Sequence, residues 1–224
     1  MEREDSHTED GLLVALAWPD AWCRNSGAWY DGLLENIGFS KDGASPVGHA
    51  ALMLVNRENG KAEYFDCGRY GEAKDLAIVR NAQDFPELEL EERVRFDRYG
   101  KPLNLNSLLQ EIQDFPYLED YKRLEYHSYP VNHAACRSKI ESEIKDGPKV
   151  YGPFHLEGSN CARFVMKALI AGEEKPEMAK LKYFPSPSPG KLVQLNTTKK
   201  LWSRLMQSTL SAITPPVFEK ASSS

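Results

Sequence analysis

Cys161 stands directly after Gly158, Ser159 and Asn160, at the start of "CARFVMKALIAG", whose apolar residues recur at helical spacing. That position has chemical consequences. A free thiol has a pKa of roughly 8.5, yet only the thiolate is a strong nucleophile. The first turn of a helix presents orphan N–H groups and the positive end of the macrodipole, and both favour a sulfur anion. The same N–H groups can stabilise an oxyanion. A plainer use competes with this one. Cys161, Phe164, Val165, Ala168 and Leu169 share one helical face, and free cysteine is among the most buried residue types.

A thiolate nucleophile needs a base. The chain has five histidines. His7 lies in a polar arm. His127 sits near Tyr126 and Tyr129 in a strand, and His133 opens a helix, so packing or surface roles serve both. His155 precedes Cys161 by a few residues. His49 is different: it follows "SPVG" and begins the apolar run "AALMLV". A titratable group at the mouth of a buried strand fits a residue that faces a cleft.

The hairpin after His49 supplies a third group. "RENGK" (57–61) contains Asn-Gly, a strong turn signal. Pairing "HAALMLVN" (49–56) with "AEYFDCGRY" (62–70) about that turn sets position 49 across from about 66. Asp66 then lies beside His49, with Tyr64 on the same face. A carboxylate beside an imidazole fixes its tautomer and stabilises the imidazolium. A slip of register would offer Glu63 or Tyr64 instead, and Asp66 would be left as a strand-end residue or a partner of Arg69.

The elements that position these groups read as α+β. Residues 1–10 form a polar, disordered arm. "GLLVALAW" (11–18) is a buried strand ended by Pro19. A helix is expected over 27–39 and a loop over 41–48, followed by the hairpin. "LAIVR" and "LELEERVRF" read as short strands. Residues 104–115 form a helix capped by Asn104 or Asn106, 123–130 a strand and 131–147 a helix. The cysteine helix runs to about Ala171 and stops at Gly172. A Pro/Ser-rich strap over 183–196 precedes a terminal helix and tail (197–224). The domain expected is 11–196, with a helical insertion at about 100–147.

Bulk properties narrow the partners. The net charge of −5 is mild, and no Lys/Arg cluster is interleaved with aromatics, so nucleic acid is not expected. No apolar run reaches the roughly 18 residues of a membrane span. The segment before "GLLVALAW" is acidic where a signal peptide is basic, so a cytoplasmic protein is expected. Cys23, Cys67, Cys136 and Cys161 show no CxxC pair and are expected as free thiols.

"GHAALMLVN…GKAEYFDCGRY", followed much later by "EGSNCARFV", resembles the circularly permuted members of the NlpC-type papain-like superfamily. There the His strand and its polar partner precede the cysteine helix, as His49, Asp66 and Cys161 do here. The chain also resembles an uncharacterised family from Bacteroidetes-type bacteria that carries "GHAAL…YYDFGRY…GSNCSRFV". The likeness covers residues 12–195 or so, specific at the motifs and loose between them. It implies a papain-like core, with the cysteine helix packed on an antiparallel sheet. It further implies Cys161 as nucleophile, His49 as base and then acid, and Asp66 as the orienting residue. The oxyanion donors would be the Cys161 N–H and one side chain, Tyr151 or Asn160. The implied activity is acyl transfer through a thioester, without a cofactor, on a small peptide, amide or lipid-like acyl substrate.

Two other readings share these residues. A non-catalytic binding module would use the aromatics of 17–30 with Tyr64, Tyr70, Tyr151 and Phe154, unless these pack in the core. Arg69 and Arg163, close to the site in sequence, would hold a substrate carboxylate or form surface or structural ion pairs. A zinc site would draw on His133-x2-Cys136 and His155-x5-Cys161, although the second spacing is unusual and Cys136 falls within a helix. "PSPSPG" reads as a surface strap or a partner-docking segment.

Overall fold

The computed structural model describes residues 9–24, 36, 41–70, 75–152, 157–173 and 189. The expected helix over 27–39, the strap and the terminal helix fall outside these residues, as does all but the end of the N-terminal arm. The chain divides into a unit Met1–Gln194 and a second unit, Leu195–Ser224, which lies outside the described residues.

Eight strands are described: β1 (Gly11–Trp18), β2 (Cys23–Arg24), β3 (Ala44–Ser45), β4 (His49–Asn56), β5 (Ala62–Gly68), β6 (Leu76–Arg80), β7 (Glu125–Val131) and β8 (Lys149–Val150). Three α-helices accompany them: α1 (Leu105–Gln113), α2 (His133–Lys145) and α3 (Cys161–Glu173). Six strands form one antiparallel sheet in the order β7-β1-β4-β5-β6-β8, and β2 pairs with β3. β1 and β4 are central and buried on both faces, so both read as nearly unbroken apolar runs.

Alternation divides the sheet into two faces. Leu12, Val14, Leu16, Trp18, Ala51, Met53, Val55 and Tyr64 pack with Leu108, Leu109 and Ile112 of α1. The opposite face is covered by α2 and α3, which pack on each other and on the central strands. Nearly every residue of α3 is buried, so its apolar character runs round the helix instead of along one stripe.

Several expectations change in the structure. "LELEERVRF" forms no strand; its one ladder contact is an isolated bridge between Phe96 and Pro102. Its Glu92 instead receives Asn104 Nδ2 and Ser107 Oγ at the start of α1. Asn104 occupies the cap position of α1 without capping it, because its Oδ1 accepts the Arg95 N–H at 2.8 Å. The strand expected over 123–130 is present as β7, which pairs along β1 in the main sheet. Gly172 does not stop α3, which continues to Glu173. A Cβ at 172 would lie 2.3 Å from Cys136 Sγ and 2.8 Å from Val131 Cβ, so this glycine permits a close approach of α3 to α2 and β7.

Candidate active site

The site lies at the sheet end where β4 begins and β1 and β5 finish. Gly48 delivers the chain into β4 with φ +76°, a conformation that favours glycine, and a Cβ there would press on the Trp18 carbonyl at 3.1 Å. His49 then pairs with Trp18 across the ladder. Its ring stacks on Trp18 at 5.7 Å and 27°, and Tyr121 closes another side at 5.7 Å. Trp18 is held in turn by its Nε1 donating to Gln113, whose amide donates to the Tyr121 carbonyl.

Cys161 is the first residue of α3. Asn160 caps that helix: its Oδ1 accepts the Arg163 N–H at 2.8 Å and its carbonyl accepts the Phe164 N–H at 2.9 Å. The buried Arg163 guanidinium reaches back to the Gly158 carbonyl at 2.7 Å and pins the turn before the thiol. Tyr151 is bridged to Ser159 and is thereby fixed to the same turn.

His49 lies within electrostatic reach of the Cys161 thiol, and its Nε2 lies 3.8 Å from Asp66 Oδ2. The latter distance is that of an ion pair, longer than a direct hydrogen bond. The ladder places Asp66 across from Ala51, not across from position 49. The two-residue offset preserves the face, so His49 and Asp66 meet as diagonal neighbours.

Burial alone would depress the His49 imidazole, but Asp66 and Cys161 outweigh it and hold His49 up at about 9. Burial raises the Cys161 thiol, yet His49 and the Ala50 and Ala162 backbone bring it below its ordinary value. The other cysteines move the opposite way. Burial pushes Cys23 and Cys136 up to about 12 and raises Cys67 as well. Burial also raises Asp66, but the facing His49 and the Arg80 guanidinium hold it down at about 2.

The cation on Asp66 is Arg80, not Arg69. Arg80 Nε donates to Oδ1 at 3.0 Å and its terminal nitrogen to Oδ2 at 2.6 Å, while the Tyr64 hydroxyl donates to Oδ2 at 3.1 Å. Tyr64 therefore supports the carboxylate from behind. Glu63 points elsewhere, into an ion pair with Arg137 and a contact with Lys61 at 3.3 Å. Arg69 lies over the Tyr151 ring at 4.8 Å, and Tyr151 is within electrostatic reach of Cys161 and Cys23. The proposed zinc ligands separate: Cys136 donates to the Ala168 carbonyl at 3.2 Å, away from Cys161 and its partner His49. Among the described residues no group of three or more His, Cys, Asp or Glu is placed to hold a metal, and His155 lies outside them.

Sequence reasoning missed Arg80 and Tyr121. Arg80 carried the same signal as His49, a charge at the end of an apolar strand, "LAIVR". Tyr121 carried none, because it arrives from a loop distant in sequence.

The sequence profile of the Type VI secretion system effector TseH-like family matches residues 13–178, well over half of the chain. The chain belongs to the TseH-like family. The crystal structure of the Type VI secretion system effector TseH aligns with it at a TM-score of 0.52 and 19% identity, over 84% of this chain and 90% of that one. The fold is papain-like, an antiparallel sheet packed against the cysteine helix. The match falls on the TseH-like family, not on the uncharacterised bacterial group that the motifs resemble. No functionally curated protein matches.

Proposed function

We propose that this TseH-like protein is a cysteine hydrolase that cleaves an amide or peptide bond through a thioester. The observation that carries the reading is one imidazole set 3.8 Å from a buried carboxylate and within electrostatic reach of a helix-terminal thiol. Nε2 faces Asp66, which leaves Nδ1 for the thiol. The Cys161 thiolate attacks the substrate carbonyl carbon, and the C–N bond breaks as the His49 imidazolium protonates the departing amine. Water, losing a proton to His49, then attacks the thioester. The carboxylic acid leaves and the thiolate–imidazolium pair is restored. The Cys161 N–H and the phenol of Tyr151, kept neutral by burial, are the oxyanion donors we favour. Asn160 is second to Tyr151: its Oδ1 accepts from the Arg163 N–H, and that cap sets the direction of its amide.

The family is named for secretion-system effectors, and a small peptide or amide is the substrate class we favour. Four free cysteines support synthesis in a reducing compartment such as the cytoplasm.

The test is the pH dependence of iodoacetamide alkylation at each cysteine, read by peptide mass spectrometry in wild type and His49→Ala. Cys161 is expected to react fastest below about pH 7 and to lose that advantage in the variant. A Cys161 no faster than Cys23, Cys67 and Cys136 would sink the hydrolase reading and leave a binding module.

A further inference from the structure

We propose that Arg80 is a positioning residue of this site: by gripping both oxygens of Asp66 it fixes the carboxylate against His49 and keeps it ionised. The inference rests on the hydrolase reading above and adds a fourth member to its side-chain set.

The geometry is that of a held group. Asp66 has no exposed surface and Arg80 is 6% exposed. The two are strand neighbours, paired directly across the β5–β6 ladder. Their contact is bidentate, the arrangement in which a planar guanidinium fixes the plane of a carboxylate as well as its charge. The guanidinium is itself fixed, with the Tyr70 ring at 3.5 Å and the Tyr117 ring at 4.1 Å. Gly68 makes room for this: a Cβ there would lie 2.6 Å from the Tyr70 ring. Only then does Oδ2 reach His49, at 3.8 Å.

The cost of burying a carboxylate explains why the grip matters. A fully buried acid tends to take up a proton and become neutral. A neutral Asp66 would no longer support the imidazolium, and the imidazolium supports the thiolate. The titratable and charged groups facing Asp66 are His49 on β4, Tyr64 and Cys67 on β5, Tyr70 after it, Arg80 on β6, and Tyr117 and Tyr121 from the loop after α1. Arg80 is the permanent cation among them. A residue with a merely structural role would change stability and leave the protonation of Cys161 alone.

The experiment is the Cys161 alkylation rate against pH in wild type, Arg80→Met and Arg80→Lys, with thermal melts to establish folding. In R80M the acid limb is expected to move up by about one pH unit, because Asp66 then protonates within the working range. R80K keeps the charge but loses the fork, so a smaller shift in the same direction is expected. A folded R80M with the wild-type profile overturns the proposal. Should R80M not fold, a folded R80K with the wild-type profile overturns it equally. A wild-type Cys161 no more reactive than the other cysteines removes the hydrolase reading itself, a different failure from an unmoved profile in the Arg80 variants.

Discussion

Asp66 and His49 are diagonal neighbours on the sheet, with Ala51 directly across from Asp66 and 3.8 Å between Oδ2 and Nε2. The offset gives Asp66 room for a second partner. Its carboxylate faces the imidazole and is held from the adjacent strand by Arg80. The imidazolium is thus stabilised by a carboxylate whose own charge is already compensated.

Alkylation and turnover should separate at alkaline pH. The Cys161 thiolate persists as pH rises, so alkylation should hold its plateau. Hydrolysis also needs the His49 proton for the leaving amine, and His49 is held up at about 9. Hydrolysis of a peptide amide should therefore fall above about pH 9 while iodoacetamide labelling does not. A shared alkaline limb would show that His49 is not the acid.

Asp66 should stabilise the fold in a defined acid window. Its pKa is depressed, so its contribution is complete above the ordinary carboxylate value of 3.8 and is lost as pH falls through about 2. The amount is roughly 2 kcal/mol. Urea midpoints of wild type between pH 5 and 2 should fall more steeply than those of Asp66→Asn. Parallel slopes would mean that the buried pair contributes no such linkage.

Gly172→Ala should destabilise despite alanine's higher helix propensity. Alanine gains up to about 1 kcal/mol in an exposed helix. Here the added methyl would sit 2.3 Å from Cys136 Sγ and 2.8 Å from Val131 Cβ, so α3 must shift against β7. A net loss of about 1–3 kcal/mol is expected in urea unfolding. A stabilised variant would show that the helix pair has slack.

Glu143→Gln should weaken the fold and spare the chemistry. Glu143 is buried and holds Lys139 at 2.7 Å, Lys149 at 3.0 Å and Lys167 at 2.8 Å, joining α2 to α3. Its loss takes the Glu143 carboxylate from Lys167, which is 7% exposed, and breaks the link between the two helices, at a cost of up to about 3 kcal/mol. The Cys161 alkylation profile should stay where it is. A moved profile would reveal that the network reaches the active site.

Much of this arrangement was legible locally. Asn-Gly marked the hairpin, unbroken apolar runs marked β1 and β4, and the Gly-Ser-Asn turn marked the start of α3. Each signal lives within a few residues, where backbone preference and hydrophobic period act. The failures were also of one kind. "LELEERVRF" alternates like a strand, but its Glu92 bonds Asn104 and Ser107 at the start of α1. Gly172 resembles a helix stop, but its role is set by Cys136, distant in sequence.

The sequence by itself determined that a thiol would begin a helix, that an imidazole would open a buried strand, and that an acid would share that strand's hairpin. Period and turn chemistry are properties of short segments, and they survive without the rest of the chain. Only the tertiary structure decided which acid faces the imidazole, since Glu63 and Asp66 differ by the face to which the pleat turns them and by the cations waiting there, Arg137 and Arg80. It alone also brought Tyr121 and Trp18 around His49. Contacts between residues far apart in the chain follow from packing, and packing is a property of the whole sheet and both its faces.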